Sequence, residues 1–182
     1  MASSRTRRND PERKQRIIDA CLDVIAERGV ADTSHRVVAA RADVPLGSMT
    51  YYFDGMSDLL HQAFDQFAQR SIDVFAESMA EASDTTGACE VIARHIEGGL
   101  LSTPRDLTIN LEFYTIAARD EGFRDISERW MAASRAELER FFDADTAGML
   151  DALVEGLTLH RAFGMTSSPA AIRTAIRRIA DR

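Results

Sequence analysis

The chain has 182 residues, 45% of them hydrophobic and 28% charged. That is enough chain for a substantial core and too apolar a composition for wholesale disorder. The formal net charge of −7 argues against a uniformly basic polyanion binder, and no apolar run reaches the roughly 18–20 residues of a membrane span.

The charge is unevenly distributed. Residues 1–16 hold six bases (Arg5, Arg7, Arg8, Arg13, Lys14, Arg16) against Asp10 and Glu12. Residues 1–60 hold nine of each sign, so all the excess acid lies in residues 61–182. A basic arm and neutral head on an acidic body restrict any polyanion contact to the head. The arm leads into no secretory apolar segment, so a cytoplasmic protein is expected. Cys21 and Cys89 are isolated in apolar stretches and read as small buried hydrophobes, with no disulfide framework, metal site or cofactor.

The apolar pattern is helical almost throughout, without convincing period-2 alternation. Asp10-Pro11-Glu12 opens the first helix as cap, first-turn proline and early acid. Ile17, Cys21, Val24 and Ile25 recur along it at helical spacing, and Gly29 closes it. A short helix runs from about Ser34 to Ala42, with Thr33 or Ser34 as its cap. Asp43-Val44-Pro45 breaks the chain before a second short helix, Leu46 to Tyr52. Beyond Asp54-Gly55, a long helix carries Leu60, Phe64, Phe67, Phe75 and Met79 to about Ala82. Five more helices are expected, at about Ala88–Leu101, from Pro104, Arg124–Phe142, Thr146–Gly164 and after Ser168-Pro169. The spacing therefore predicts an all-α protein of about nine helices. The three-helix head is expected over residues 1–55 and the helical body over 56–182.

The informative stretch is TSHRVVAARADVPLGSMTYYFDGMSDLL, Thr33 to Leu60. Two short helices around a tight turn fit a helix-turn-helix. Val38, Ala39 and Ala42 are small enough for a close helix crossing, and Val44 and Met49 close its core. Leu46, Gly47, Ser48, Thr50, Tyr51 and Tyr52 are expected to face outward. Hydroxyls bond phosphate oxygens or base edges, and a glycine lets the backbone approach.

These residues resemble the N-terminal domain of TetR-family transcriptional regulators, whose pattern is T-[TS]-x-R-x-[IV]-A-x-x-A-G-V-S-x-G-x-[LM]-Y-Y-H-F-x-S-K-x-x-L. Thr33, Ser34, Arg36, Val38, Ala39, Ala42, Val44, Gly47, Met49, Tyr51, Phe53 and Leu59 match it. Asp43 replaces the turn glycine, and Asp tolerates positive φ better than most residues. Pro45 replaces a capping serine, Gly55 another serine, and Met56 the lysine that faces phosphate in the family. Thr50 and Tyr52 stand where Tyr and His are usual.

The resemblance implies a homodimer binding a palindromic operator in double-stranded DNA, away from any membrane. Arg5, Arg7, Arg8, Thr33, Ser34, Arg36 and the helix from Pro45 to Tyr52 would form the DNA surface. Helices four to seven would enclose an apolar or aromatic effector, with Phe64, Phe67, His95, Phe113, Tyr114, Trp130 and His160 as candidate contacts. The last two helices would form the subunit interface, through Ala152, Leu153, Gly156, Leu157, Ile172 and Ile176. The expected function is that of a repressor released by a small molecule. No HExxH, GxSxG, Gly-rich phosphate loop or Cys-His spacing points to catalysis. The rival is a ligand-binding or catalytic helical dimer that does not bind DNA.

Overall fold

The computed structural model describes residues 12–99, 101 and 103–181. Among these there are nine α-helices, a 3₁₀ turn at Glu121–Phe123 and no strand. The helices are α1 (Glu12–Arg28), α2 (His35–Arg41), α3 (Gly47–Tyr52), α4 (Met56–Met79), α5 (Thr85–Gly98), α6 (Pro104–Ala117), α7 (Arg124–Glu139), α8 (Ala144–Ala162) and α9 (Pro169–Ala180). No helix of the described residues is long and apolar enough to cross a membrane. The chain divides into two compact units after Asp65, inside α4. The sequence reading put the division at the turn before that helix. Leu59, Leu60, Ala63 and Phe64 are buried, which accounts for the first turns of α4 belonging to the first unit.

In the first unit Ile17, Cys21, Leu22, Val24 and Ile25 present one buried face of α1, each with no exposed surface. Burial of about 1.5–3 kcal/mol per large apolar side chain holds so small a unit together. The cap proposed at Asp10-Pro11 lies outside the described residues. Gly29 ends α1 at φ 76°. The Thr33 hydroxyl donates to the Gly29 carbonyl at 2.8 Å, and the Glu27–Arg41 ion pair ties α1 to α2.

In the second unit Ile172 and Ile176 lie in one core cluster with Phe75, Met79, Ala88, Val91, Ile92, Ile96, Leu138, Ala147 and Leu150. Arg173 fixes this packing by pairing twice with Glu90, at 2.6 and 3.0 Å, and once with Glu97, at 2.5 Å. The isoleucine stripe expected at a subunit interface is therefore packed inside the subunit, against α5. Leu153 and Leu157 are partly buried against the same cluster. Ala152 is exposed, and a Cβ added at Gly156 would meet nothing within 4 Å. The exposed stripe of α8 instead carries Met149, Ala152, His160 and Phe163, with half-exposed Gly156 between them.

Helix starts follow local caps. Asp84 accepts from the Gly87 N–H and starts α5 at Thr85, three residues before the apolar pattern begins. Asp143 does the same for α8 through Thr146.

Candidate functional site

The turn between α2 and α3 is built by backbone geometry. Ser34 caps α2, accepting from the Val37 N–H at 3.4 Å. Asp43 stands at φ 51° just past the helix end. The Val44 N–H reaches back to the Ala39 carbonyl at 3.0 Å and the Asp43 N–H to Ala40 at 3.4 Å, a Schellman closure. Asp43 thus occupies the left-handed position that glycine fills in the motif. Pro45 and Leu46 then start α3, their carbonyls accepting from Ser48 and Met49 at 2.8 and 3.0 Å.

Only one face of α3 is outward. Gly47, Thr50 and Tyr51 are exposed, with Tyr51 at 75% and neighbouring Leu46 at 54%. Tyr52 is half-buried, edge-on to Tyr51 with ring centroids 4.7 Å apart. Ser48 was expected to face outward but is 8% exposed, adjacent in sequence to fully buried Met49. A 100° step per residue places 48, 49 and 52 on the side opposite 47, 50 and 51. Thr33 is likewise buried, its hydroxyl committed to the end of α1. Arg36, Pro45 and Ser34 are exposed. Arg5, Arg7 and Arg8 lie outside the described residues.

A Cβ at Gly47 would meet nothing within 4 Å, so nothing inside the first unit requires glycine there. The serine cap missing at Gly55 is replaced from the other side. Asp58 accepts from the Asp54 N–H at 2.9 Å and from Gln62 at 2.8 Å. The Gln62 bond first, and then the Asp54 N–H, hold its carboxyl below the usual carboxylate range.

The second unit holds a cavity of about 100 Å³ whose lining comes from α4 to α8 and Leu101. Phe75, Phe113, Tyr114 and Trp130 supply its aromatic walls. Phe113 lies 6.1 Å from Trp130, ring centre to ring centre, and Phe75 lies 4.9 Å from His95. Burial first, and then the Arg161 guanidinium, push the His95 imidazole below its ordinary value. His95, Phe113, Tyr114 and Trp130, expected as effector contacts, line the cavity.

Phe64, Phe67 and His160 do not line it. Phe64 is buried in the first unit, and Phe67 stands behind the wall, edge-on to Trp130 at 5.9 Å. His160 is exposed on α8. The sequence reading missed the polar part of the lining: Ser71, Asn110, Ser127, Ser134, Asp151, Glu155 and Thr158. Buried Asn110, set between inward-facing Ile109 and Phe113, is a signal that was available.

The Tyr114 hydroxyl donates to Glu155 Oε1 at 2.7 Å. Burial, and then this bond to a carboxylate, push the phenol well above its ordinary value. Among the described residues no group of three or more His, Cys, Asp or Glu is placed to hold a metal.

Residues 17–63 match the family of bacterial regulatory proteins called the tetR family, and residues 70–182 match the tetracyclin repressor-like C-terminal domain. The chain belongs to the TetR family. It is a DNA-binding helix-turn-helix transcriptional regulator. A Streptomyces coelicolor A3(2) transcriptional regulator, SCO7518, is 45% identical to it, with TM-score 0.89, over 94% of this chain and all of that one. The multidrug binding protein EbrR, solved with imidazole, is 31% identical with TM-score 0.80, over 98% of this chain and 97% of its own. EbrR has also been solved with ethidium, malachite green and proflavin. An uncharacterised helix-turn-helix regulator of Xanthobacter autotrophicus is 27% identical over 124 residues, which are 63% of this chain and 61% of that relative.

Proposed function

We propose that this TetR-family chain acts in the cytoplasm as a homodimeric repressor of a palindromic operator, released when an aromatic small molecule fills the cavity of the second unit. The observation that carries the proposal is the pairing of an outward α3 face with an aromatic-walled cavity in a separate unit of the same chain. Gly47, Thr50 and Tyr51 meet the major groove in this reading. Glycine at a position with free space around it keeps the backbone open to a phosphate or a base edge. Arg36 and the arm residues Arg5, Arg7 and Arg8 neutralise phosphates, and Ser34 and Pro45 lie at the edge of the surface. Thr33 and Ser48 support α2 and α3 from inside.

The subunits pair through the exposed face of α8: Met149, Ala152, Gly156 and Phe163. Small residues at 152 and 156 let two helices approach, and Met149 and Phe163 supply the apolar area. The dyes named for EbrR support an aromatic effector. For release, the effector binds the DNA-incompetent state better, by about 1–3 kcal/mol in a typical allosteric coupling.

Footprinting the purified protein on the DNA flanking its own gene tests this reading. The expected result is protection of an inverted repeat that is lost on adding proflavin or ethidium. Binding with no preference over random duplex at matched salt refutes the operator role, and no binding to any duplex favours the rival helical dimer.

A further inference from the structure

We infer that the cavity selects effectors carrying one positive charge beside an N–H group, with Glu155 as the counter-ion and Thr158 as the partner of the N–H. This rests on the effector reading above and names the chemistry that the site takes.

Two carboxylates line the cavity, and their situations differ. Asp151 accepts from the Ser134 hydroxyl at 2.8 Å and from Arg135 Nε at 3.2 Å, so its charge is already balanced. Glu155, one turn further along α8, is an exposed residue of the lining that, among the described residues, receives the Tyr114 hydroxyl. A phenol orients a carboxylate without cancelling its charge. Among the described residues no lysine or arginine pairs with Glu155. Glu155 therefore leaves one negative charge at the solvent-exposed rim of the aromatic walls, while the Arg161 guanidinium acts on His95 of the lining; the ring faces themselves favour a cation.

Thr158 supplies the second observation. It follows Asp151 and Glu155 at helical spacing on the same face of α8, is 4% exposed, and its hydroxyl has no hydrogen-bond partner. The hydroxyls of Ser71, Ser78, Thr108, Thr115 and Thr174 each return to the carbonyl four residues earlier, the usual resort of a helical hydroxyl. Thr158 does not. A buried polar group left unpaired is costly until a ligand completes it. An amino group conjugated to a flat cation places its N–H and its charge within one helical turn, which is the separation of Thr158 from Glu155. A cavity of about 100 Å³ with aromatic walls accommodates the ring edge that carries this group.

The test compares two flat tricyclic amines of similar shape on the full-length protein, proflavin, which is a cation at neutral pH, and neutral 2-aminoanthracene. Affinities are read from quenching of Trp130 and checked by calorimetry. Proflavin is expected to bind about tenfold or more tightly than 2-aminoanthracene, the scale of one hydrogen bond to a charged group. Glu155→Gln still accepts from Tyr114, so it keeps the melting temperature and the 2-aminoanthracene affinity while removing most of that preference. Thr158→Val is expected to weaken both amines severalfold. Equal affinities in the wild type, or a preference that survives Glu155→Gln, overturn the charge assignment and leave the effector reading standing. Failure of both amines to bind overturns the effector reading itself. Undiminished binding to Thr158→Val removes the N–H requirement.

Discussion

Ile176→Ala separates two roles for α9, because Ile176 has no exposed surface and packs in the cluster shared with α5. Truncating a fully buried isoleucine removes three carbon atoms' worth of transfer energy and leaves a cavity, a loss of about 2–5 kcal/mol. Two helices held by Arg173 at Glu90 and Glu97 resist collapse into that space, which favours the middle of the range, about 3 kcal/mol. For a chain of this length the melting temperature should fall by roughly 6–12 °C. Urea denaturation followed by Trp130 fluorescence gives the energy. Sedimentation at micromolar concentration gives the assembly state, which should not change where the variant is folded. Ala152→Glu should do the reverse, dissociating the proposed dimer while the subunit core is retained. A variant Ile176→Ala that sediments as a monomer with undiminished subunit stability would refute this placement of the stripe.

Three further outcomes follow from the geometry. Tyr51→Phe should leave thermal stability unchanged, because the side chain is 75% exposed, and should weaken operator binding by about 1.5–3 kcal/mol if the hydroxyl bonds phosphate; a mobility-shift titration showing unchanged affinity removes Tyr51 from the DNA surface. Asp43→Val puts a β-branched residue at φ 51° and should cost more than about 1 kcal/mol, whereas Asp43→Gly keeps the turn, and equal melting temperatures for the two variants would contradict the left-handed assignment. The His95 imidazole titrates below its unfolded value of about 6.5, so the unfolded state binds the extra proton first and stability is lost as pH falls from that value toward the folded one. His95→Gln should flatten this part of the stability curve below about pH 6.5, and parallel wild-type and variant curves would show that His95 does not contribute.

The head was readable because its turn is written in residues with restricted or unusual backbone preferences. Asp43 at positive φ, Gly29 past α1 and the small trio Val38, Ala39, Ala42 each have a local physical meaning. The isoleucine stripe of α9 was legible as buried, but periodicity does not say against what. Only the fold brings α5 alongside and removes Ile172 and Ile176 from the outer surface. Ser48 was misread by its hydroxyl, although the period itself puts it beside Met49. The aromatic cavity residues were chosen by residue type, so Phe64 and His160 entered with Phe113 and Trp130. The polar lining escaped because Asn110, Ser134 and Thr158 are short side chains scattered over three helices, and only tertiary packing makes them neighbours.

The two thiols fall one in each unit, Cys21 in α1 and Cys89 in α5. Burial raises the Cys21 thiol to about 12, so the closed head offers a labelling reagent neither access nor thiolate. Its alkylation rate then counts the openings of the head, as amide exchange does for a protected backbone N–H. Cys89 is only half-buried and reports on the other unit. Mass spectrometry of the two peptides from one labelling reaction therefore sets the opening of the first unit, read at Cys21, beside the native-state accessibility of the second, read at Cys89. Operator DNA would slow the first clock, and a bound effector the second.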